Sequence, residues 1–316
     1  MLFTRLQQDQ TALDLFLKSV GIGSVRIIPL PIDASKRYYY RLEGLEKLVM
    51  VCPSSEKPEQ FLHMSALLSN IGLRAPKVLA QAKDFYLIED FGTQTYRYAL
   101  NKSNRQELYT LATDVLIHLK EILTTQPSFV PTYNTETLLL EATLFTEWHK
   151  NLRPYTADYI AIWKDLLCHI DAPKGLILRD VHIDNLFYLP QYEGLMACGL
   201  IDFQDAVWGP VGYDLVSLTG DARVDVPEDL RQFLKERYRG SFPTYQQENI
   251  DKTSIILDMH RQLRILGVFS RLSKRDHKHQ YSHHIPRILE YVRHHLENPL
   301  FKDLKQWLQN HEALSS

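Results

Sequence analysis

Cysteine is nearly absent from this chain. Only Cys52, Cys168 and Cys198 occur among 316 residues, scattered and odd in number, so neither a disulfide framework nor a zinc knuckle is indicated. Cys198 lies in an apolar run and reads as a small packed hydrophobe. No apolar stretch approaches the ~20 residues of a membrane span, and the N-terminal stretch from Met1 to Gln10 lacks the apolar core of a signal peptide. Charge of one sign is also missing. Thirty-six basic residues stand against 38 acidic ones for a net −2, which argues against a general nucleic-acid or membrane-surface binder. The 13 glycines form neither a G-x-G-x-x-G run nor a Walker A motif, and no internal repeat or low-complexity segment is visible. A reducing, cytoplasmic setting and a monomer are expected.

What is present is a dense polar constellation between residues 174 and 205. Lys174-Gly175 marks a turn, Leu176-Ile177-Leu178 an apolar strand end, and Arg179-Asp180 follows. Asn185 stands five residues after Asp180 and runs into the strand Leu186 to Leu189. Pro190 to Gly194 reads as a hairpin turn, and Leu195 to Ile201 as one buried strand that delivers Asp202. A carboxylate, an amide oxygen and a second carboxylate at this spacing are what phosphoryl transfer uses to orient a hydroxyl and hold Mg²⁺ against phosphates. Alone, Asp-x4-Asn is a weak signal, and Asp and Asn also cap turns. The surrounding strand, turn and strand pattern is what strengthens it.

The rest of the chain divides in two. Residues 6–20 read as a helix and Pro58 to Asn70 as another, with Phe61, Met64, Leu67 and Leu68 on one face. Segments 24–29, 38–42, 48–52, 76–80 and 85–89 read as strands. After Gly92 the pattern turns helical, with 3.6-residue periodicity over 106–123 and 136–148. The expected architecture is α+β: a small N-terminal antiparallel sheet lobe over residues 1–91, and a larger, mainly helical lobe over 92–316.

Several segments together carry a family resemblance. They are Asp33-Ala34-Ser35-Lys36-Arg37-Tyr38-Tyr39-Tyr40-Arg41, the stretch from Leu87 through Glu89-Asp90-Phe91-Gly92 to Tyr96, Glu141 to Trp148, Leu178 to Leu186, Ile201-Asp202-Phe203-Gln204-Asp205 and Tyr213-Asp214-Leu215 running into Asp221-Ala222-Arg223. Through them nearly the whole chain resembles the aminoglycoside-phosphotransferase, or protein-kinase-like small-molecule kinase, superfamily. Within it the likeness is to bacterial anomeric kinases of N-acetylmuramate and N-acetylglucosamine. That resemblance implies ATP and Mg²⁺ as cofactors, an amino sugar as the small-molecule partner, and a sugar 1-phosphate for cell wall recycling. It implies Asp180 as catalytic base, Asn185 and Asp202 as metal ligands, and Glu89 to Phe91 as a hinge whose backbone meets the adenine. Other acceptors within the fold, such as choline, aminoglycosides or a homoserine-like alcohol, are alternatives, as is a nucleotide-binding pseudokinase.

Two departures stand out. Leu178 replaces the usual His before Arg-Asp, and strand 48–52 lacks the phosphate-binding lysine. Arg37 or Arg41 is expected to supply that charge, with Ser35 offering its hydroxyl and backbone N–H. Gln204 and Asp205 follow the metal carboxylate and are candidates for substrate contact. Trp148 is a candidate sugar-stacking ring or a core residue. Arg179 or Arg223 suits an acidic acceptor. His182 and Asp214 read as braces of the catalytic loop. The histidine-rich stretch 260–295 reads as a helical scaffold rather than a metal site, because adjacent histidines on a helix point apart.

Overall fold

The structure, a computed structural model, describes residues 2–31, 37–56 and 58–314. In chain order the elements begin with α1 (Leu2–Ser19), β1 (Ile27–Pro29), β2 (Tyr38–Leu42), β3 (Lys47–Val51), α2 (Pro58–Asn70), β4 (Val78–Ala82), β5 (Phe85–Glu89) and α3 (Tyr96–Ala99). Then come α4 (Arg105–Ile122), α5 (Thr135–Trp148), α6 (Thr156–Leu167), β6 (Lys174–Ile177), β7 (Leu186–Tyr188), β8 (Cys198–Leu200) and β9 (Val207–Pro210). The chain ends with α7 (Tyr213–Thr219), α8 (Glu228–Gly240), α9 (Thr244–Lys274), α10 (Ile285–His295) and α11 (Lys302–Asn310). No helix among the described residues is long and apolar enough to cross a membrane.

Two compact units emerge. The first comprises residues 1–99 and 186–204, the second 100–185 and 205–316. Where the sequence suggested one boundary near Gly92, the chain therefore changes unit three times.

The first unit is built on a five-stranded antiparallel sheet of order β1-β2-β3-β5-β4. β2 and β3 pair with Tyr38 opposite Val51, and β3 and β5 with Lys47 opposite Glu89. Helix α1 supplies Leu13, Phe16 and Leu17 to a small core with Leu42, Val49 and Leu87. Helix α2 starts on Pro58, whose fixed φ suits the first helical position. It ends before Gly72 at φ +81°, where Leu73 N–H closes on Leu68 O at 3.0 Å. Its inner face buries Phe61, Met64 and Leu68.

Residues 195–201 are not one strand, as their apolar run suggested. A 3₁₀ turn covers Gly194–Ala197, and only Cys198–Leu200 pairs with Leu186–Tyr188. Gly194, at φ +55°, turns the chain into that 3₁₀ segment, and Leu189 N–H meets Ala197 O at 2.9 Å where it ends. Cys198 is fully buried, and burial pushes its thiol up to about 12.

In the second unit the core gathers around Phe145, Tyr159, Trp163, Leu263, Leu266, Ile288 and Phe301. Its tightest contact is between α5 and α9. A Cβ on Gly267 would stand 2.2 Å from the Leu144 backbone oxygen. Gly267→Ala gains helix propensity of ~1 kcal/mol, but the obstruction is backbone and cannot rotate away. The variant should lose about 2–3 kcal/mol net, read as a lower denaturant midpoint. An unchanged midpoint would show that the two helices can part at no cost.

Candidate active site

The second unit holds the loop 178–185 in a fixed shape. Asp214, in the first turn of α7, accepts the Leu178 N–H on Oδ2 at 2.7 Å and the Arg179 N–H on Oδ1 at 2.8 Å. Gly212, at φ +103°, lets the chain turn into that helix, and a Cβ there would meet Ser254 Oγ at 2.7 Å. Asp214 is buried, and burial pushes its carboxyl up to about 7 against the pull of its two amide donors. The second of these anchors, Arg179, adopts φ +75°, a left-handed conformation that costs a non-glycine residue on the order of 1 kcal/mol. Ser217 Oγ adds a 3.4 Å bond to the Arg179 carbonyl.

Further along, Asn185 Nδ2 donates to the Asp180 carbonyl at 3.0 Å and lies 3.2 Å from His182 Nε2, so its amide oxygen faces the other way. Asn185 N–H also closes on the His182 carbonyl at 2.9 Å. His182 is buried and serves the loop, consistent with its reading as a brace. A second carboxylate, Asp221 just beyond α7, accepts Ile183 N–H at 3.2 Å. Arg223 lies between Asp221 (3.3 Å) and Asp184 (3.1 Å). Sequence reasoning gave Asp221 no role. Its only signal was its place in the segment following Tyr213-Asp214-Leu215.

Asp202 belongs to the first unit, exposed at the end of β8 with φ +61°. The next residue, Phe203, is buried and stacks on Phe61 of α2 with ring centroids 5.4 Å apart. The inserted helix thus fixes the segment carrying the carboxylate. Gln204 Nε2 donates to Asp202 Oδ1 at 2.8 Å. Arg37 is buried and hydrogen-bonds the Tyr39 hydroxyl. Burial raises the Tyr39 hydroxyl above its usual range; the Arg37 charge opposes this and the Asp202 charge adds to it. Tyr39 therefore lies within electrostatic reach of both Arg37 and Asp202. Ser35 lies outside the described residues.

Arg41, considered for the phosphate-side charge, is paired with Asp90. Its guanidinium is forked onto Asp90 and donates to Gly92 O at 2.7 Å, while Gly92 N–H bonds Asp90 Oδ1 at 2.8 Å. It fixes the segment after β5. The Glu89 carboxylate is likewise engaged, by Arg74 at 3.0 Å and by the Lys77 N–H at 3.0 Å. Phe91 packs edge-on to Phe187 at 5.7 Å and beneath Arg74 at 5.2 Å.

The remaining candidates separate. Arg179 is not a lone cation: it pairs with Glu141 of α5, which also receives the Tyr133 hydroxyl and lies 3.1 Å from Arg264 Nε. Burial alone would raise the Glu141 carboxyl, but Arg264 and Arg179 outweigh it and hold it below its ordinary value. Trp148 ends α5 half-buried, with the Arg275 guanidinium 6.0 Å from its ring. Asp205 is exposed at the start of the returning segment. Among the late histidines, His260 bonds the Leu138 carbonyl at 2.8 Å and His295 bonds Asp258 at 2.9 Å. No three His, Cys, Asp or Glu side chains among the described residues could jointly hold a metal.

Asp214→Asn leaves one amide of the loop facing a donor, and a buried unsatisfied group costs about 1–3 kcal/mol. Chemical denaturation should show a loss of that size. The raised carboxyl also fixes a pH dependence. Between pH ~4 and about 7 the folded chain keeps a proton that the unfolded chain releases, so this group's contribution falls as pH rises through that window. The asparagine variant should lack that slope, and an identical slope in both proteins would refute the assignment.

The model of the phosphotransferase enzyme family matches residues 26–248. The N-acetylmuramate/N-acetylglucosamine kinase of Pseudomonas aeruginosa is 31% identical over 314 residues, covering 91% of each chain. The kinase of the same name from Caulobacter vibrioides is 28% identical over 360 residues, covering 98% of each. Among solved structures, the GDP complex of wild-type aminoglycoside 2'-phosphotransferase-IIIa superposes with a TM-score of 0.61 at 15% identity, covering 90% of this chain and 97% of the other. Plasmodium vivax ethanolamine kinase gives 0.62 at 12% identity, covering 89% and 84%. At such identities the structural likeness is one of fold, the expected kinase-like α+β class. The family match, which spans most of the chain including residues 89–92 and the loop 178–185, makes this chain a member of the phosphotransferase enzyme family.

Proposed function

We propose that this protein transfers the γ-phosphate of ATP to the anomeric hydroxyl of N-acetylmuramate, N-acetylglucosamine or both, giving a sugar 1-phosphate for cell wall recycling. The observation that carries this reading is the set of four curated kinases of those two sugars, 28–31% identical across 83–98% of this chain. The fold by itself does not choose the acceptor, since its neighbours of known structure include aminoglycoside and ethanolamine kinases.

In this reading Asp180 takes or orients the proton of the acceptor hydroxyl. An anomeric hydroxyl is more acidic than other sugar hydroxyls, so a carboxylate is an adequate base. Asn185 and Asp202 are the ligands of Mg²⁺, which when bound neutralises charge on the β- and γ-phosphates. The donor set fits a hard cation that takes few protein ligands and fills its shell with phosphate and water oxygens. The Asn185 amide supports this: its nitrogen is engaged within the loop, which leaves the oxygen as the metal-facing atom. Arg37 replaces the missing strand lysine, with Tyr39 holding it and Ser35 assisting at the phosphates. Backbone groups of Glu89 to Phe91 receive the adenine, and the lock between Arg41 and Asp90 keeps that segment in register. Gln204 steadies Asp202, while Asp205, Trp148 and Arg179 are placed on the acceptor side.

The first measurement is ADP release with Mg-ATP across a panel of sugars, amino sugars and amino alcohols, with phosphorus NMR to locate the phosphate at C1. Asp180→Asn should lower turnover by roughly 10²–10⁴-fold and keep the rise in melting temperature that ATP produces. Asp202→Asn should lose the Mg²⁺-dependent part of that rise. ATP binding without turnover on any acceptor would sink the kinase reading. Arg37→Ala should raise the KM for ATP roughly tenfold, the loss of one hydrogen bond to a charged group, with partial recovery in Arg37→Lys. An unaltered KM and turnover would remove Arg37 from the nucleotide site.

A further inference from the structure

Two arginine clusters flank the 178–185 loop and share their partners in opposite ways. Arg223 is shared by two carboxylates, Asp184 and Asp221, so its charge is already spent on the loop. Glu141 has the reverse arrangement. One carboxylate answers two guanidiniums, Arg179 on Oε1 and Arg264 on Oε2, and accepts the Tyr133 hydroxyl as well. Two guanidiniums thus share one carboxylate, and a second carboxylate, that of Asp180, acts on Arg264.

The cluster has a surplus of donors. Each guanidinium presents several N–H groups in a planar fork, more than two carboxylate oxygens can take. Arg264 Nε lies 3.1 Å from Glu141 but is not aligned on it as a hydrogen bond, and the Nε atoms of both arginines are buried with no acceptor. The two side chains nevertheless keep 17% and 19% of their surface open. Arg179 immediately precedes Asp180, and Arg264 is within electrostatic reach of it. A planar, weakly hydrated cation with spare donors is the group best suited to a carboxylate.

We infer that Arg264, held beside Arg179 by Glu141, reads a carboxylate on the acceptor and so favours the sugar that carries a lactyl group over its uncharged counterpart. This rests on the amino-sugar reading above. Glu141 acts as a positioning residue: it fixes the two forks and keeps their mutual repulsion affordable in a half-buried place.

The test compares kcat and KM for N-acetylmuramate and N-acetylglucosamine in wild type, Arg264→Gln and Arg264→Lys. Arg264→Gln should lower the ratio of kcat/KM for N-acetylmuramate over N-acetylglucosamine by at least about tenfold, as expected for a lost charged hydrogen bond, chiefly through KM. Arg264→Lys should recover part of the ratio. On the wild type, the methyl amide of N-acetylmuramate should lose the same advantage, a result that needs no variant to fold. An equal loss on both sugars, or an amide that performs as well as the acid, overturns the inference and makes Arg264 a scaffold residue. If the wild type turns over neither sugar, the functional reading has failed instead. Calorimetry then decides this one, since N-acetylmuramate must still bind wild type more tightly than Arg264→Gln.

Discussion

One buried carboxylate carries the loop 178–185. Asp214 accepts two consecutive backbone N–H groups, and the second of these residues, Arg179, is held left-handed. A strained backbone persists only where its surroundings over-determine it. Here α7 does so from both ends, with Asp214 at its start and Asp221 just past its finish. The pairing of these acids with main-chain N–H groups, not with substrate, sets the direction in which Asp180 and Asn185 leave the loop.

Arginine provides most of the remaining fixation. Arg41 on Asp90 fixes the segment after β5, Arg74 on Glu89 ties the end of β5 to Lys77, and Arg223 ties the loop to the α7 terminus. Half-buried pairs of this kind are poor sources of net stability, because desolvation offsets most of the attraction, but breaking one leaves a stranded charge. Their value is in register. Each holds a stretch of irregular backbone that no helix or sheet ladder would otherwise define. Glu141 differs in holding two guanidiniums, Arg179 and Arg264.

The sequence made local features legible and long-range partnerships opaque. Helix α2 was readable residue for residue because Pro58, the spacing of Phe61, Met64 and Leu68, and Gly72 are all local signals. The Asp180, Asn185 and Asp202 spacing was readable for the same reason. Arg41 could not be distinguished from a phosphate-binding cation, because its partner Asp90 lies 49 positions away. Arg179 likewise meets Glu141 across 38 positions, and nothing in either segment announces the other. The apolar run 195–201 misled because hydrophobicity reports burial, whereas Gly194 turns the chain into a 3₁₀ segment before the strand begins.

The first unit is discontinuous in sequence, with residues 1–99 completed only by 186–204. Phe203 supplies the ring that Phe61 stacks on, Gly199 the bridge to Arg74, and Phe187 the edge against Phe91. On a ribosome adding ~5–20 residues per second, the five-stranded sheet would wait on the order of ten seconds for these partners. During that interval part of its apolar surface would stay open. The sheet is therefore a late-closing element despite lying first in the chain, and an excised N-terminal fragment would carry that open surface permanently.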